Sequence, residues 1–130
     1  MTEIRNPLTS PKQRLERLSM DELTGVYDAL SLACNCLLGI VNQPRFYTND
    51  DLNGGGAEVD FFVDALNDYI GEVVAAAGKA SPSDPGEASA RAWLLLRASA
   101  SCKESLSDFA AEAAGAAAQV ATLKKRKHGS

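Results

Sequence analysis

The chain has 130 residues, 45% of them apolar, which is within the range of one domain able to bury a core without disulfides or metals. Three cysteines, an odd number, and an N-terminus with no basic-then-apolar leader exclude a disulfide framework and predict a reduced, cytoplasmic setting. The longest uncharged run, residues 29–44, falls short of the ~20 residues that span a bilayer, so no membrane is expected as a partner. The net charge of −4 is segregated: residues 19–78 hold ten acids against Arg45 alone, whereas residues 124–127 are all basic, so a cationic partner would feel the middle of the chain.

A short helix is predicted over residues 11–18, with Ser10 as N-cap and Pro11 at the first helical position, where its missing N–H has no consequence. Leu15 and Leu18 would dock it, with Ile4 and Leu8 on the same surface. Helix A begins at the capping box Ser19-Met20-Asp21-Glu22 and ends near Asn42, before Pro44. Its Leu23, Val26, Leu30, Ala33, Leu37 and Ile40 recur at alternating spacings of three and four, which predicts one apolar face. Cys34 and Cys36 would point about 200° apart on this helix, a poor arrangement for chelation. They read as small buried hydrophobes.

A polar stretch over residues 42–56 follows, broken by Asn53 and three glycines and long for a helix connection. Helix B is predicted over residues 57–77 with Val59, Phe62, Leu66, Tyr69, Val73 and Ala76 on its seam and Gly78 as C-cap. The third helix has the best-marked start, with Asp84 as N-cap, Pro85 at the first position and Glu87 completing a box. Its seam runs from Ala92 through Leu95, Ser99, Cys102, Leu106 and Phe109 to Leu123 without a phase shift. That predicts one helix of roughly 40 residues, with Ser101-Cys102-Lys103-Glu104 as the competing cap that would divide it. Ser99 is expected to bond the carbonyl four residues back.

The expected fold class is all-α, an antiparallel three-helix bundle with a long C-terminal helix and a short extra N-terminal helix. It divides into an N-terminal segment (1–18), the bundle (19–123) and a basic tail (124–130). The surplus turns of the third helix must be covered. Either Phe46, Tyr47 and Leu52 lie on Ala113, Ala117 and Val120, or the alanine-rich face meets a second copy in a homo-oligomer.

Catalytic patterns are missing from the sequence. The single histidine, His128, sits in the tail, and there is no G-x-S-x-G, H-E-x-x-H, P-loop or G-x-G-x-x-G. The chain is therefore expected not to be an enzyme and to need no cofactor. One alternative is calcium. Asn49, Asp51, Asn53 and Asp60, with the Gly55 carbonyl, have the oxygen-ligand spacing of a helix-loop-helix site, which resembles an EF-hand loop. Asparagine stands where that loop begins with aspartate, aspartate where it ends with glutamate, and Pro44 interrupts the entering helix.

Asp60, Asp64 and Asp68 recur every four residues on helix B and Glu72 continues the row, an acidic stripe whose like charges oppose the helix by a few tenths of a kcal/mol per pair. Phe61 falls beside it. The loop residues Arg45, Phe46, Tyr47, Asp50 and Asp51 lie near its upper end. These residues predict a protein-binding surface for a basic partner, in its sharper form an inhibitor that occupies the basic groove of a nucleic-acid-handling protein. Trp93 and Arg97 are expected to stack. The run Lys124-Lys125-Arg126-Lys127 complements a helix C-terminus, so direct nucleic-acid binding is not expected.

Overall fold

A computed structural model describes residues 10–102 and 105–128 of the chain. Among these, five helices and a two-stranded ribbon account for nearly all the backbone: α1 (Pro11–Glu16), α2 (Met20–Val41), β1 (Tyr47–Thr48), β2 (Asp51–Leu52), α3 (Gly54–Lys79), α4 (Pro85–Cys102) and α5 (Leu106–His128). The fold is all-α, as expected. The expected docking of Ile4 and Leu8 and the cap ending at Lys103-Glu104 lie outside the described residues.

The helix starts follow the local chemistry. Ser10 and Gln13 form a reciprocal box at α1, and Ser19 and Glu22 form another at α2, where each satisfies a backbone N–H of the other. At α4 the Asp84 carboxylate accepts from the Glu87 N–H at 2.9 Å. Glu87 reaches one residue further back than predicted, to the Ser83 N–H and hydroxyl.

Helices α2 and α3 form an antiparallel hairpin, α1 lies on α3, α4 crosses the base of the hairpin, and α5 packs on α4. The core sits at that base, where Leu23, Val73 and Leu94 are fully enclosed among Leu15, Tyr27 and Ala77. Burying each of the three larger side chains stabilises the fold by roughly 1.5–3 kcal/mol.

The single long third helix is not formed. The chain breaks after Cys102 and α5 restarts with Ser105 as its cap, the hydroxyl accepting from the Asp108 N–H. Pairing of Ser99 with Glu112 and of Arg91 with Gln119 shows that α5 doubles back antiparallel to α4. A cap three residues before an aspartate thus outweighed an unbroken apolar period. The period survives because a hairpin of two helices buries the same seam between them: Phe109, Ala113, Ala116, Val120 and Leu123 are half-buried on α5. Folding back removes the surplus length that the loop or a second copy was expected to cover, and Ser99 bonds Glu112 across the pair.

Two other expectations are corrected. The three glycines do not break the chain but form the first turn of α3, and α3 runs on to Lys79 with Ala80 as its cap. The seams also turn. On α2 the buried positions are Met20, Leu23, Tyr27, Cys34 and Val41, while Ala33 and Ile40 are exposed; on α3 Val63 is buried and Phe62 is 58% exposed. The reason is where the third partner lies. Helix α4 joins the hairpin at its base, in the cluster with Leu23, Tyr27, Val73 and Ala77 and through Arg91, which donates to the Ala77 and Gly78 carbonyls. Toward the tip Leu38, Ile40, Leu52, Phe61 and Phe62 remain exposed, as does Leu32 lower on α2.

Candidate interaction surface

The tip of the hairpin is built on Asn53. Its side-chain oxygen accepts from the Gly56 N–H at 2.9 Å and caps α3, while its amide nitrogen donates to the Arg45 carbonyl at 2.8 Å. The backbone joins in, with the Asn53 N–H donating to the Phe46 carbonyl at 2.8 Å. The segment from Pro44 to Phe46 is thereby drawn onto the start of α3, close enough that only glycine fits at position 56. Between Phe46 and Asn53 the chain makes a tight ribbon pairing Tyr47 with Leu52 and Thr48 with Asp51. Asn49 and Asp50 both have positive φ, 52° and 68°, the geometry of a two-residue hairpin turn and one that Asn and Asp tolerate better than other side chains.

The residues with calcium-loop spacing are placed in other roles. Asn53 is used as a cap, Gly55 lies inside the first turn of α3, and Asn49 and Asp51 belong to the ribbon. Among the described residues no three His, Cys, Asp or Glu side chains are grouped to hold a metal ion. Of the predicted loop residues, Arg45 sits over the Phe46 ring at 5.2 Å, Phe46 is half-buried, and Tyr47, Asp50 and Asp51 are exposed.

The acidic stripe is in place on α3. Asp60, Asp64, Asp68 and Glu72 are all exposed, and Phe61, 66% exposed, stands among them. Among the described residues Asp60, Asp64 and Asp68 meet no basic side chain. The described ion pairs lie elsewhere, Lys79 with Glu16 at 3.2 Å and Arg97 with Asp28 at 2.7 Å.

Sequence reasoning missed a second feature, a cleft of about 900 Å³ where α2, α3, α4 and α5 converge. Its walls include Tyr27, Ile70 and Leu95, and two pairs of its polar groups are matched to one another. The buried Cys34 thiol meets Asn67 Oδ1 at 3.5 Å, and the Ser99 hydroxyl donates to Glu112 at 2.5 Å. Arg97 crosses to α2, bonding Asp28 and lying 5.0 Å over the Tyr27 ring; Trp93 is 67% exposed. These pairs join residues 13 to 70 positions apart, and nothing local marks them.

Fold and surface together define a small helical protein whose two-helix arm projects from a packed base. Compared with protein-family models, curated proteins and solved structures, the chain matches none.

Proposed function

We propose that this protein acts without catalysis, by binding a basic protein surface through the outer face of α3. The observation that carries it is the row Asp60, Asp64 and Asp68, exposed around the exposed ring of Phe61 and meeting no basic side chain among the described residues. Carboxylates four residues apart recur every ~6 Å along a helix, a regular line of negative charge suited to a groove lined with Lys and Arg. Phe61 supplies the apolar anchor that such a polar rim surrounds. The partner class this favours is a nucleic-acid-handling protein, and the consequence of binding is exclusion of its nucleic acid.

Displacement of a fluorescent DNA duplex from a panel of basic DNA-binding proteins tests this. The wild type is expected to displace duplex from at least one of them. The triple variant Asp60→Asn, Asp64→Asn, Asp68→Asn should lose the effect, and binding should weaken at least about tenfold between about 50 and 500 mM salt. Displacement that the triple variant retains, or that salt leaves unchanged, would refute the proposal.

A further inference from the structure

The fold does not require glycine at position 54. A Cβ there would meet nothing within 4 Å among the described residues, whereas at position 56 it would lie 2.6 Å from the Phe46 carbonyl oxygen. Glycine is also a poorer helix former than alanine in the turn that Gly54 opens. What Gly54 changes is the chemistry of its neighbour. It follows Asn53, and no other asparagine in the chain precedes a glycine. With no Cβ beside it, the Gly54 nitrogen is open to the Asn53 side chain.

We propose that Asn53 is a site of spontaneous deamidation which the closed tip protects, and that its conversion to a carboxylate releases the segment Pro44–Phe46 from α3 irreversibly. In the reaction the Gly54 backbone nitrogen attacks Asn53 Cγ. A C–N bond forms, the Cγ–Nδ2 bond breaks, and Nδ2 leaves as ammonia with the proton given up by the Gly54 nitrogen. Water then opens the cyclic imide at either carbonyl, leaving aspartate or its isoaspartyl isomer at position 53. Water is the one co-reactant.

The folded tip opposes the first step. Asn53 Oδ1 accepts from the Gly56 N–H at 2.9 Å and Nδ2 donates to the Arg45 carbonyl at 2.8 Å, so both ends of the amide are held. The Asn53 N–H donates to the Phe46 carbonyl at 2.8 Å and fixes the backbone beside them. Swinging Cγ onto the Gly54 nitrogen breaks both side-chain bonds. Reaction therefore proceeds from the fraction of molecules in which the tip is open, and two hydrogen bonds of ordinary strength lower that fraction at least about tenfold.

The product does not close in the same way. A carboxylate accepts hydrogen bonds and donates none, so its oxygen would face the Arg45 carbonyl oxygen with no proton between them. Aspartate still caps α3 by accepting from the Gly56 N–H. The loss thus falls on the tip while the helix start is kept. The new charge also joins those of Asp50 and Asp51 in the adjoining ribbon.

Peptide mass spectrometry of the full chain at mildly alkaline pH, folded in buffer or unfolded in guanidinium chloride, tests the gate. Asn53 should convert at least about tenfold more slowly in the folded chain. Gly56→Ala, which prises the tip open, should raise the folded rate roughly fivefold or more. If circular dichroism shows Gly56→Ala to be unfolded, Phe46→Ala, which removes the ring next to Gly55, takes its place with the same expectation. Gly54→Ala should suppress conversion in both states. Equal rates in folded and unfolded wild type, a folded loosened-tip variant no faster than wild type, or an unfolded Gly54→Ala as fast as unfolded wild type overturns the proposal. Hydrogen exchange on Asn53→Asp reads the consequence: the N–H of residue 53 should exchange at least about tenfold faster than in wild type while that of Gly56 stays protected. Unchanged protection at residue 53 would mean that the carboxylate leaves the tip closed, and the proposal would fall.

Discussion

The rings of Phe61 and Phe62 stand edge to face with centroids 6.0 Å apart and planes at 78°, yet adjacency on a helix turns them to different sides of α3. Phe61 looks out among Asp60, Asp64 and Asp68, and Phe62 looks across the uncharged side of the hairpin. Replacing Phe61 by Ser should leave folding stability within about 0.5 kcal/mol of wild type, as at other exposed sites. Replacing Phe62, 58% exposed and so partly covered, by Ser should cost more, about 1 kcal/mol. Equal effects in denaturant titrations would contradict this assignment of the two rings.

Gly56 and Gly54 should respond to alanine with opposite signs. A Cβ at position 56 would lie 2.6 Å from the Phe46 carbonyl oxygen and 2.8 Å from Leu52 Cδ2, whereas at position 54 it meets nothing within 4 Å. Gly56→Ala is expected to cost about 1–3 kcal/mol by prising the tip from α3. Gly54→Ala should stabilise by up to about 1 kcal/mol through helix propensity. Denaturant titrations of the pair decide it, and a neutral Gly56→Ala would show that the tip is not held as described.

Trp93 and Leu94 are adjacent and have reversed roles. Leu94 is fully enclosed in the core and Trp93 is 67% exposed. Leu94→Ala should cost about 2–5 kcal/mol from lost transfer energy and the cavity it leaves, whereas Trp93→Ala should change stability by less than about 1 kcal/mol. The larger residue is thus expected to matter less, a reversal that thermal melts of both variants would reveal.

Two hydrogen bonds with Ser19, first to its backbone N–H and then to its hydroxyl, hold the Glu22 carboxyl below its ordinary value. A depressed folded-state pKa means that the ionised carboxylate stabilises the native state above its unfolded pKa, and that this contribution disappears as pH falls through the lowered value. The stability difference between wild type and Glu22→Gln should therefore be constant above about pH 5 and shrink below about pH 4. Ser19→Ala should cost about 1 kcal/mol at neutral pH. A Glu22→Gln difference that is flat across the acid range would show that the box contributes nothing through charge.

Local chemistry was legible wherever a signal and its effect lie within a few residues. Ser10, Ser19 and Asp84 mark three helix starts because their oxygens reach backbone donors three residues on. The row Asp60, Asp64, Asp68 and Glu72 falls on one exposed face because helical geometry alone places it there. Asn53 and the glycines were legible only as a discontinuity. Their use as a cap and a close contact depends on Phe46, which reaches position 56 only after the ribbon has turned the chain back.

The sequence by itself determined the helical class, most helix starts and the acidic face, since all three follow from bonds and periods a few residues long. Only the tertiary structure decided which side of each helix is covered. Helix α2 is apolar nearly all round, with Leu32, Leu37, Leu38, Ile40 and Val41 within ten residues, so its period is compatible with more than one packing direction. Once the interruption at Ser105 sends α5 back along α4, the third helix ends beside the base of the hairpin instead of running on along it. Toward the tip Ile40 and Phe62 are left exposed.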